Sequence, residues 1–467
     1  MSQWNAATGA EEADRSLSPL ERWYWICDQL SPLNVISHAR LHGPFDAELA
    51  ARALTALQRR HPLLRASITA DAQGRKPRFR PAPGREIPLR TVAVSAESGG
   101  AGEHWEREVN AYELVTAVNW RTGPLARALV VTRPGSGGAP DVHDLVLTLP
   151  HCIADGTTVL TLIRQWIELA AEIASYEEGS GVGRSTPGVR SLRLLPAPEK
   201  LLPAGHRGLG GARKVVAQQI ADQGAAKRIQ PRRFEPTTRV PFEERVTQLL
   251  PRSLPGDQLA ELAAACKREQ TTVHGALAAA LATAAAQDAG DRPGPLVIGS
   301  PITFRDALEP RVGEDEIGTY VATVPTVVDY RPGAPLWPMA RAISRDLARR
   351  RRRGEHLTAV ATLGPVAPKS VAKSQRFLRF MEEKGPITLC VSNVGRYEFP
   401  DAVGPWQVSS AEFIAGLSVN AYYCAAINTS HGRLAWNFTH VEGAVSAERA
   451  ERLAAASLEA VLAAAKS

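Results

Sequence analysis

Residues 144–166 read DLVLTLPHCIADGTTVLTLIRQW. The opening run, Asp144 to Pro150, is compact, apolar and closed by Pro, the pattern of a buried strand. After Gly156 the apolar residues recur as Val159, Leu162, Ile163, Trp166 and Leu169, the spacing of a long helix with one buried face. Between the two, HCIADG (151–156) must turn the chain, so the stretch is a strand–loop–helix unit. A histidine at the end of a strand is anchored by the sheet and presented at its rim. With an ordinary pKa of ~6.5, an imidazole there can serve as a general base near neutral pH. Asp155, four residues on, is suited to fixing the loop, and Gly156 allows a sharp turn and a close approach.

Working outward, the first half alternates strands and helices. SLSPLERWYWICDQL (16–30) starts a helix, and Ala39 to Phe45 reads as a strand. Asp46 caps an amphipathic helix that Pro62 stops, and LLRASI (63–68) is the next strand. PRFRPAPGREIPLRTVAV (77–94) alternates like edge strands broken by Pro. A helix over 103–114 and a strand over 123–133 lead back to the central unit.

Downstream, residues 176–236 are rich in Gly, Ser, Pro and Arg, with helical character only in KVVAQQIADQGAAKR (214–228). The second half repeats the mixture. It has a strand at 244–250, two helices within 254–287, strands within 295–308 and 316–330, a helix through the arginine run, and a strand within 386–395. GLSVNAYYCAAINTSHGRLAWNFTH (416–440) alternates on both sides of His431-Gly432, as a hairpin does. An Ala-rich helix (446–465) follows. The expected organisation is a disordered leader at 1–15, an N-terminal subdomain at 16–175 carrying HCIADG, a crossover linker at 176–236 and a C-terminal subdomain at 237–467. Two halves of similar make-up suggest a pseudo-dimer.

Composition bounds the rest. A chain of 467 residues is too long for one hydrophobic core, and 44% hydrophobic residues can fill two. Net charge is +7, and five positive charges fall in one run, Arg349 to Arg353, so no broad nucleic-acid-binding face is expected. Five scattered cysteines (Cys27, Cys152, Cys266, Cys390, Cys424) form no CxxC pair, which argues for a reducing, cytoplasmic setting. The polar N-terminus lacks the signature of a signal peptide, and no apolar stretch nears the ~18 residues of a membrane span. No HExxH-like spacing suggests a metal site.

The segment LTLPHCIADGTTVLTLIRQW resembles the active-site stretch of the chloramphenicol-acetyltransferase and condensation-domain superfamily. LSPLER (17–22), RRHPLLRA (59–66), GPLARALVV (123–131), TTVHGALAAALATA (271–284), PITFRDAL (301–308) and LCVSNVG (389–395) stand in the order of one branch, the polyketide-associated-protein acyltransferases. The resemblance covers nearly the whole chain from Ser16. It implies an α/β fold of two chloramphenicol-acetyltransferase-like subdomains, a V-shaped pseudo-dimer with a channel between them. It makes His151 the catalytic histidine of HxxxDG, and Asp155 the loop-orienting aspartate paired with an arginine from the other half, which Arg305 matches. Gly156 is the motif glycine whose N–H helps hold the oxyanion. Pro150 occupies the first His position of HHxxxDG, a departure shared with the acetyltransferases, and the DFGWG signature of the plant branch is absent.

The implied reaction is acyl transfer from a thioester, on coenzyme A or on the phosphopantetheine arm of a carrier protein, to a small-molecule hydroxyl. The product would be an ester in lipid or secondary-metabolite biosynthesis, made by a cytoplasmic monomer with no permanently bound cofactor and no metal. Amide formation on an amine acceptor, as in free-standing condensation enzymes, is one alternative. A non-catalytic domain that recruits carrier proteins is another, although such a scaffold has no need of His151, Asp155, Gly156 and Arg305 together. His274 reads as structural or channel-lining, and Ser392 and Asn393 as channel-lining or a plain strand end. Cys152 beside the base reads as a small apolar filler. The arginine run reads as a solvated helix face, or else as a docking point for an acidic carrier protein or a nucleotide 3′-phosphate.

Overall fold

The computed structural model describes residues 12–95, 104–180, 190–385, 387–419 and 421–466. Two six-stranded mixed sheets carry the fold. In the first, the order is β12 (Ala402–Val403), β13 (Trp406–Ala415), β2 (Asn34–His42), β7 (Val142–Pro150), β6 (Arg127–Arg133), β5 (Leu89–Ala93). In the second it is β10 (Val321–Tyr330), β9 (Gly294–Thr303), β11 (Leu389–Arg396), β14 (Tyr423–Ser430), β15 (Arg433–Val441), β8 (Thr247–Leu254). A small third sheet joins β1 (Arg15–Ser16), β4 (Arg78–Pro81) and β3 (Ala66–Thr69).

Each large sheet buries one face under helices. Helices α2 (Ala47–Arg60) and α4 (Gly156–Ser180) cover the first, and the Trp166 indole of α4 donates to the Ala50 carbonyl of α2 at 3.0 Å. Helix α7 (Val273–Asp288) lies beneath the second, between α8 (Leu336–Arg352) and α11 (Ala447–Lys466). Its run of alanines from Ala276 to Ala286 is almost wholly buried, and the small side chains allow close helix contact on every side. A third apolar cluster lies between the halves. It brings Leu20 of α1 (Pro19–Asp28) against Leu201, Phe304, Tyr320 and Val360 of α9 (Glu355–Val366).

The hairpin at His431-Gly432 is present, with φ of +49° and +68° at the two turn residues, the signs a two-residue primed turn requires. Three expectations need correction. Residues 1–11 of the leader lie outside the described residues, but 12–15 are not disordered. Ala13 is buried, and the Arg15 guanidinium forks onto Glu21 at 2.7 Å on both arms. The strand read at Ala39 to Phe45 runs instead from Asn34 to His42, because Gly43 and Pro44 break the ladder. Residues 316–320, read as part of a strand, precede β10 as an extended loop.

The larger difference is β13, a segment the sequence reading passed over. It lies far into the second half yet pairs antiparallel with β2 in the first sheet, from Gln407↔His42 to Ala415↔Val35. A division at residue 236 therefore does not separate the two sheets. Among the described residues, only two-residue β12 pairs with the other side of β13. Much of that edge is met by side chains of the second sheet: Asn428, Ser430, Asn437 and Thr439 bond the backbone of Ala411, Phe413 and Ala415. These four buried polar residues alternate along β14 and β15 because each faces a neighbouring sheet's backbone.

Candidate active site

Strand β7 ends at Pro150, opposite Asn34 and beyond the last β6 partner, so the missing N–H costs no ladder bond. His151 still donates its backbone N–H to the Leu33 carbonyl at 2.9 Å, which holds it in register with β2. Its own carbonyl accepts from the Thr319 hydroxyl at 2.6 Å, a contact from the other half. The imidazole stacks on Tyr24 of α1 with centroids 3.9 Å apart and planes 13° from parallel. Nδ1 is buried without a hydrogen-bond partner. Burial pulls the pKa below the ordinary value of 6.5; backbone of His151 and Ala154 and the charge on Asp155 only oppose that shift. The ring is therefore neutral at physiological pH.

Asp155 caps α4. Its Oδ1 accepts from the Thr158 N–H and its Oδ2 from the Tyr320 N–H, both at 2.8 Å. One carboxylate thus ties the loop to the start of its helix and to the segment before β10. The expected Arg305 partnership takes a different form. The guanidinium is 3.9 Å from Asp155 Oδ1, and its closer bonds go to the Thr158 hydroxyl at 2.6 Å and the Glu316 carbonyl at 2.9 Å. Its face lies over the Tyr320 ring at 4.7 Å. Thr158 in turn donates to the Gly318 carbonyl at 2.6 Å. Arg305 therefore acts on the loop through Thr158 and residues 316–320, a clasp spanning both halves, rather than as a bidentate partner of the carboxylate.

Gly156 begins α4 where no side chain fits. A Cβ there would come within 2.8 Å of the Phe413 ring of β13 and 2.9 Å of Val394. A cavity of about 110 Å³ opens beside it, lined by Tyr24, His151, Asp155 and Gly156, by Pro301, Thr303, Val321 and Thr323, and by Ser392, Asn393 and Phe413. Its walls come from both sheets. His151, Asp155, Gly156, Ser392 and Asn393 are thus brought together and Arg305 stands directly behind them, whereas His274 is outside the lining. His274 meets the Ser300 hydroxyl at 3.2 Å, and burial pushes its pKa down to about 4. Cys152 is buried with its thiol pKa raised, so it supplies no thiolate. Sequence reasoning missed Tyr24, Thr158, Thr319, Tyr320 and Phe413. GTY (318–320), immediately before β10 and downstream of Arg305, was the available signal. Among the described residues no group of three or more His, Cys, Asp and Glu is arranged to hold a metal ion, and no helix is long and apolar enough to cross a membrane.

Comparison with known proteins agrees with this architecture. Residues 252–421 match the family described as phthiocerol/phthiodiolone dimycocerosyl transferase C-terminus. The phosphinothricin tripeptide synthetase PhsC of Streptomyces viridochromogenes is 30% identical over 171 residues, 36% of this chain and 15% of that protein's length. The first condensation domain of the calcium-dependent antibiotic synthetase, with a substrate analogue, superposes with a TM-score of 0.69 at 15% identity, over 97% of this chain and 96% of that one. Polyketide synthase associated protein 5 from Mycobacterium tuberculosis gives 0.61 at 16% identity, over 97% of each. At such identities the two structures establish the fold, two chloramphenicol-acetyltransferase-like subdomains. The two sequence matches each span only about a third of the chain; with the superpositions they make it similar to condensation domains and to polyketide synthase associated protein 5.

Proposed function

We propose that the protein transfers an acyl group from a thioester, on coenzyme A or a carrier protein, to a hydroxyl acceptor, with His151 as general base. One observation carries this reading: a neutral imidazole, free of any carboxylate partner, lines a cavity between two sheets and is held there by both. Nδ1 is enclosed, so Nε2 is the atom left to take the acceptor's proton. The alkoxide attacks the thioester carbonyl, and the tetrahedral oxyanion takes a hydrogen bond from the Gly156 N–H at the start of α4. Collapse breaks the carbon–sulfur bond, and the imidazolium returns its proton to the departing sulfur. Asp155, Thr158 and Arg305 are positioning residues, since the hydrogen bonds they make go to the loop and to residues 316–320.

The cavity supports reaction at a small centre. Its volume is about 110 Å³. The reacting carbonyl and acceptor oxygen fit such a space; a whole pantetheine arm requires it to lengthen. Amide formation is a second reading, favoured by the relative named as a tripeptide synthetase and by the condensation-domain neighbour. The matched family, whose description names a transferase and the alcohol phthiocerol, favours the ester.

The deciding experiment is mass spectrometry of products from purified protein given acyl-coenzyme A and acyl-carrier-protein donors with a panel of alcohols and amines. Ester products that vanish in His151→Ala support the reading. Amides alone select the second one, and unchanged turnover in His151→Ala overturns the assignment of the base.

A further inference from the structure

The arginine run divides in the fold. Arg349 and Arg350 are tied to Asp346 on their own helix, and Arg350 also reaches Glu355 at 2.7 Å. The next three are barely neutralised. Arg351 is 3.8 Å from exposed Asp306, Arg353 is 4.0 Å from Glu355, and Arg352 has no acidic partner among the described residues. Gly354, at φ +68°, ends α8 and turns the chain directly into α9. The turn brings Arg351, Arg352 and Arg353 around a basin of about 370 Å³ with His206, Lys214 and His356, and Asp306 is the one carboxylate in its wall.

Two features mark this basin as a binding site rather than a solvated helix face. His356 is 4% exposed and its Nδ1 is buried with no hydrogen-bond partner; the Nδ1 of His206 is likewise buried and unmet. Buried polar atoms are nearly always satisfied, so the two unmet nitrogens mark an incomplete polar environment beside the basin. Burial and the neighbouring cations lower both imidazole pKa values, His356 to about 4, so the charge offered to an acceptor-rich ligand is that of the arginines and of Lys214, whose ammonium lies 3.3 Å from His206 Nε2. The second feature is location. Thr303, the last residue of β9, lines both this basin and the cavity at His151. In the turn that follows, Arg305 faces inward to Thr158, and Asp306 lies on the Arg351 side.

We propose that the basin formed by Arg351, Arg352, Arg353, Lys214, His206 and His356 binds the phosphate group at the end of the donor's pantetheine arm. The inference rests on the acyl-thioester reading above and adds where the donor is anchored. Guanidinium forks match phosphate oxygens in pairs, and Lys214 adds a point charge. With its phosphate in the basin, the arm passes Thr303 and delivers its sulfur to His151. A phosphate on free coenzyme A and one on a carrier-protein arm present the same group, so the chemistry is shared by both sources.

The test compares the wild type with the exposed triple variant Arg351→Ser, Arg352→Ser, Arg353→Ser, and with Lys214→Ala. Calorimetry with 4′-phosphopantetheine and with unphosphorylated pantetheine measures binding without any turnover. Phosphopantetheine should bind the wild type at least tenfold more tightly than pantetheine, and the triple variant should lose that advantage, the scale of one or two charge-assisted hydrogen bonds. The KM for acyl-coenzyme A or acyl-carrier protein should rise about tenfold, with the KM for an acyl-N-acetylcysteamine, which has no phosphate, unchanged. A change with only one of the two phosphate donors supports the site and identifies its source. Equal binding of the two pantetheines by the wild type, or equal loss with the phosphate-free donor, overturns the proposal. If phosphopantetheine binds as expected but no thioester turns over, the anion site stands and the acyl-transfer reading falls.

Discussion

Two buried histidines in the first sheet's half, His38 and His151, have similar stacking partners and pKa values shifted in opposite directions. Each stacks on an aromatic ring with centroids 3.9 Å apart, His38 on Trp105 and His151 on Tyr24. His38 is clamped, Nδ1 to Glu412 at 3.0 Å and Nε2 to Asp144 at 2.8 Å. Its pKa is raised even though burial alone would lower it, because two carboxylates outweigh desolvation. Arg40 also holds Asp144, and Asn437 of the second sheet holds Glu412 at 2.9 Å. His151 has no such partner and is neutral. Burial does not set the charge of a histidine; the carboxylates that reach it do. One histidine is a cationic rivet that fixes β13 to β2 and β7, and the other is free to accept a proton.

Exchanging the two roles by mutation tests this contrast most severely. His151→Ala should lower thioester turnover about 10²–10⁴-fold, the scale of general-base catalysis, and leave the melting temperature close to wild type. His38→Ala should do the reverse. It leaves Asp144 and Glu412 facing a buried void, a loss of about 3 kcal/mol in denaturant titration, with turnover per folded molecule retained. A His38 variant as stable as wild type would sink the rivet.

Asp155→Asn sharpens the same division, because that carboxylate bonds the loop's backbone rather than the ring. Replacing one oxygen by an NH₂ group sets a donor against either the Thr158 or the Tyr320 N–H. The expected loss is about 1–3 kcal/mol together with reduced turnover, read by melting and kinetics on one preparation. Gly156→Ala should destabilise by about 1–3 kcal/mol through overpacking against Phe413 and Val394; Phe413→Leu in the same chain should recover part of it.

The smallest effects come from pH, and they run in opposite directions. The folded pKa of His38 lies above 6.5, so its contribution is complete below pH ~6.5 and fades as pH rises through the folded value. Asp144 and Glu412 have folded pKa values below 3.8 and 4.5, so their contributions are present above those values and fade on acidification. Stability from this cluster should therefore be greatest between about pH 4.5 and 6.5, and His38→Leu should flatten that dependence. For His151 the folded pKa is below 6.5, so kcat/KM should hold steady as pH falls through 6.5 and drop only beneath it. A fall centred at 6.5 would show an ordinary, solvated imidazole.

Much of this was legible in the chain itself. The strand–loop–helix unit, the hairpin with His431-Gly432 at its tip and the long amphipathic helices follow from periodicity and turn chemistry, which act over a few residues. His151, Asp155 and Gly156 were legible for the same reason, being neighbours in one loop. β13 was not. Burial alternates only over Trp406 to Ser409, the register shifts between Val408 and Ser410, and Ala411 to Ile414 are all buried, so nothing in WQVSSAEFIA tells which sheet it joins, and much of its edge is satisfied by side chains instead of a strand. The Asp155–Arg305 relation was anticipated in partners but not in form, because Thr158 and the Glu316–Tyr320 segment intervene.

The order of residues alone thus determined where the chain turns, which faces are apolar and which loop carries His151. Whether that imidazole is charged, and which distant strand encloses it, was decided only by the assembled tertiary structure. Desolvation and Coulomb attraction depend on distance in space, and the Glu412 that charges His38 lies 374 positions along the chain from it.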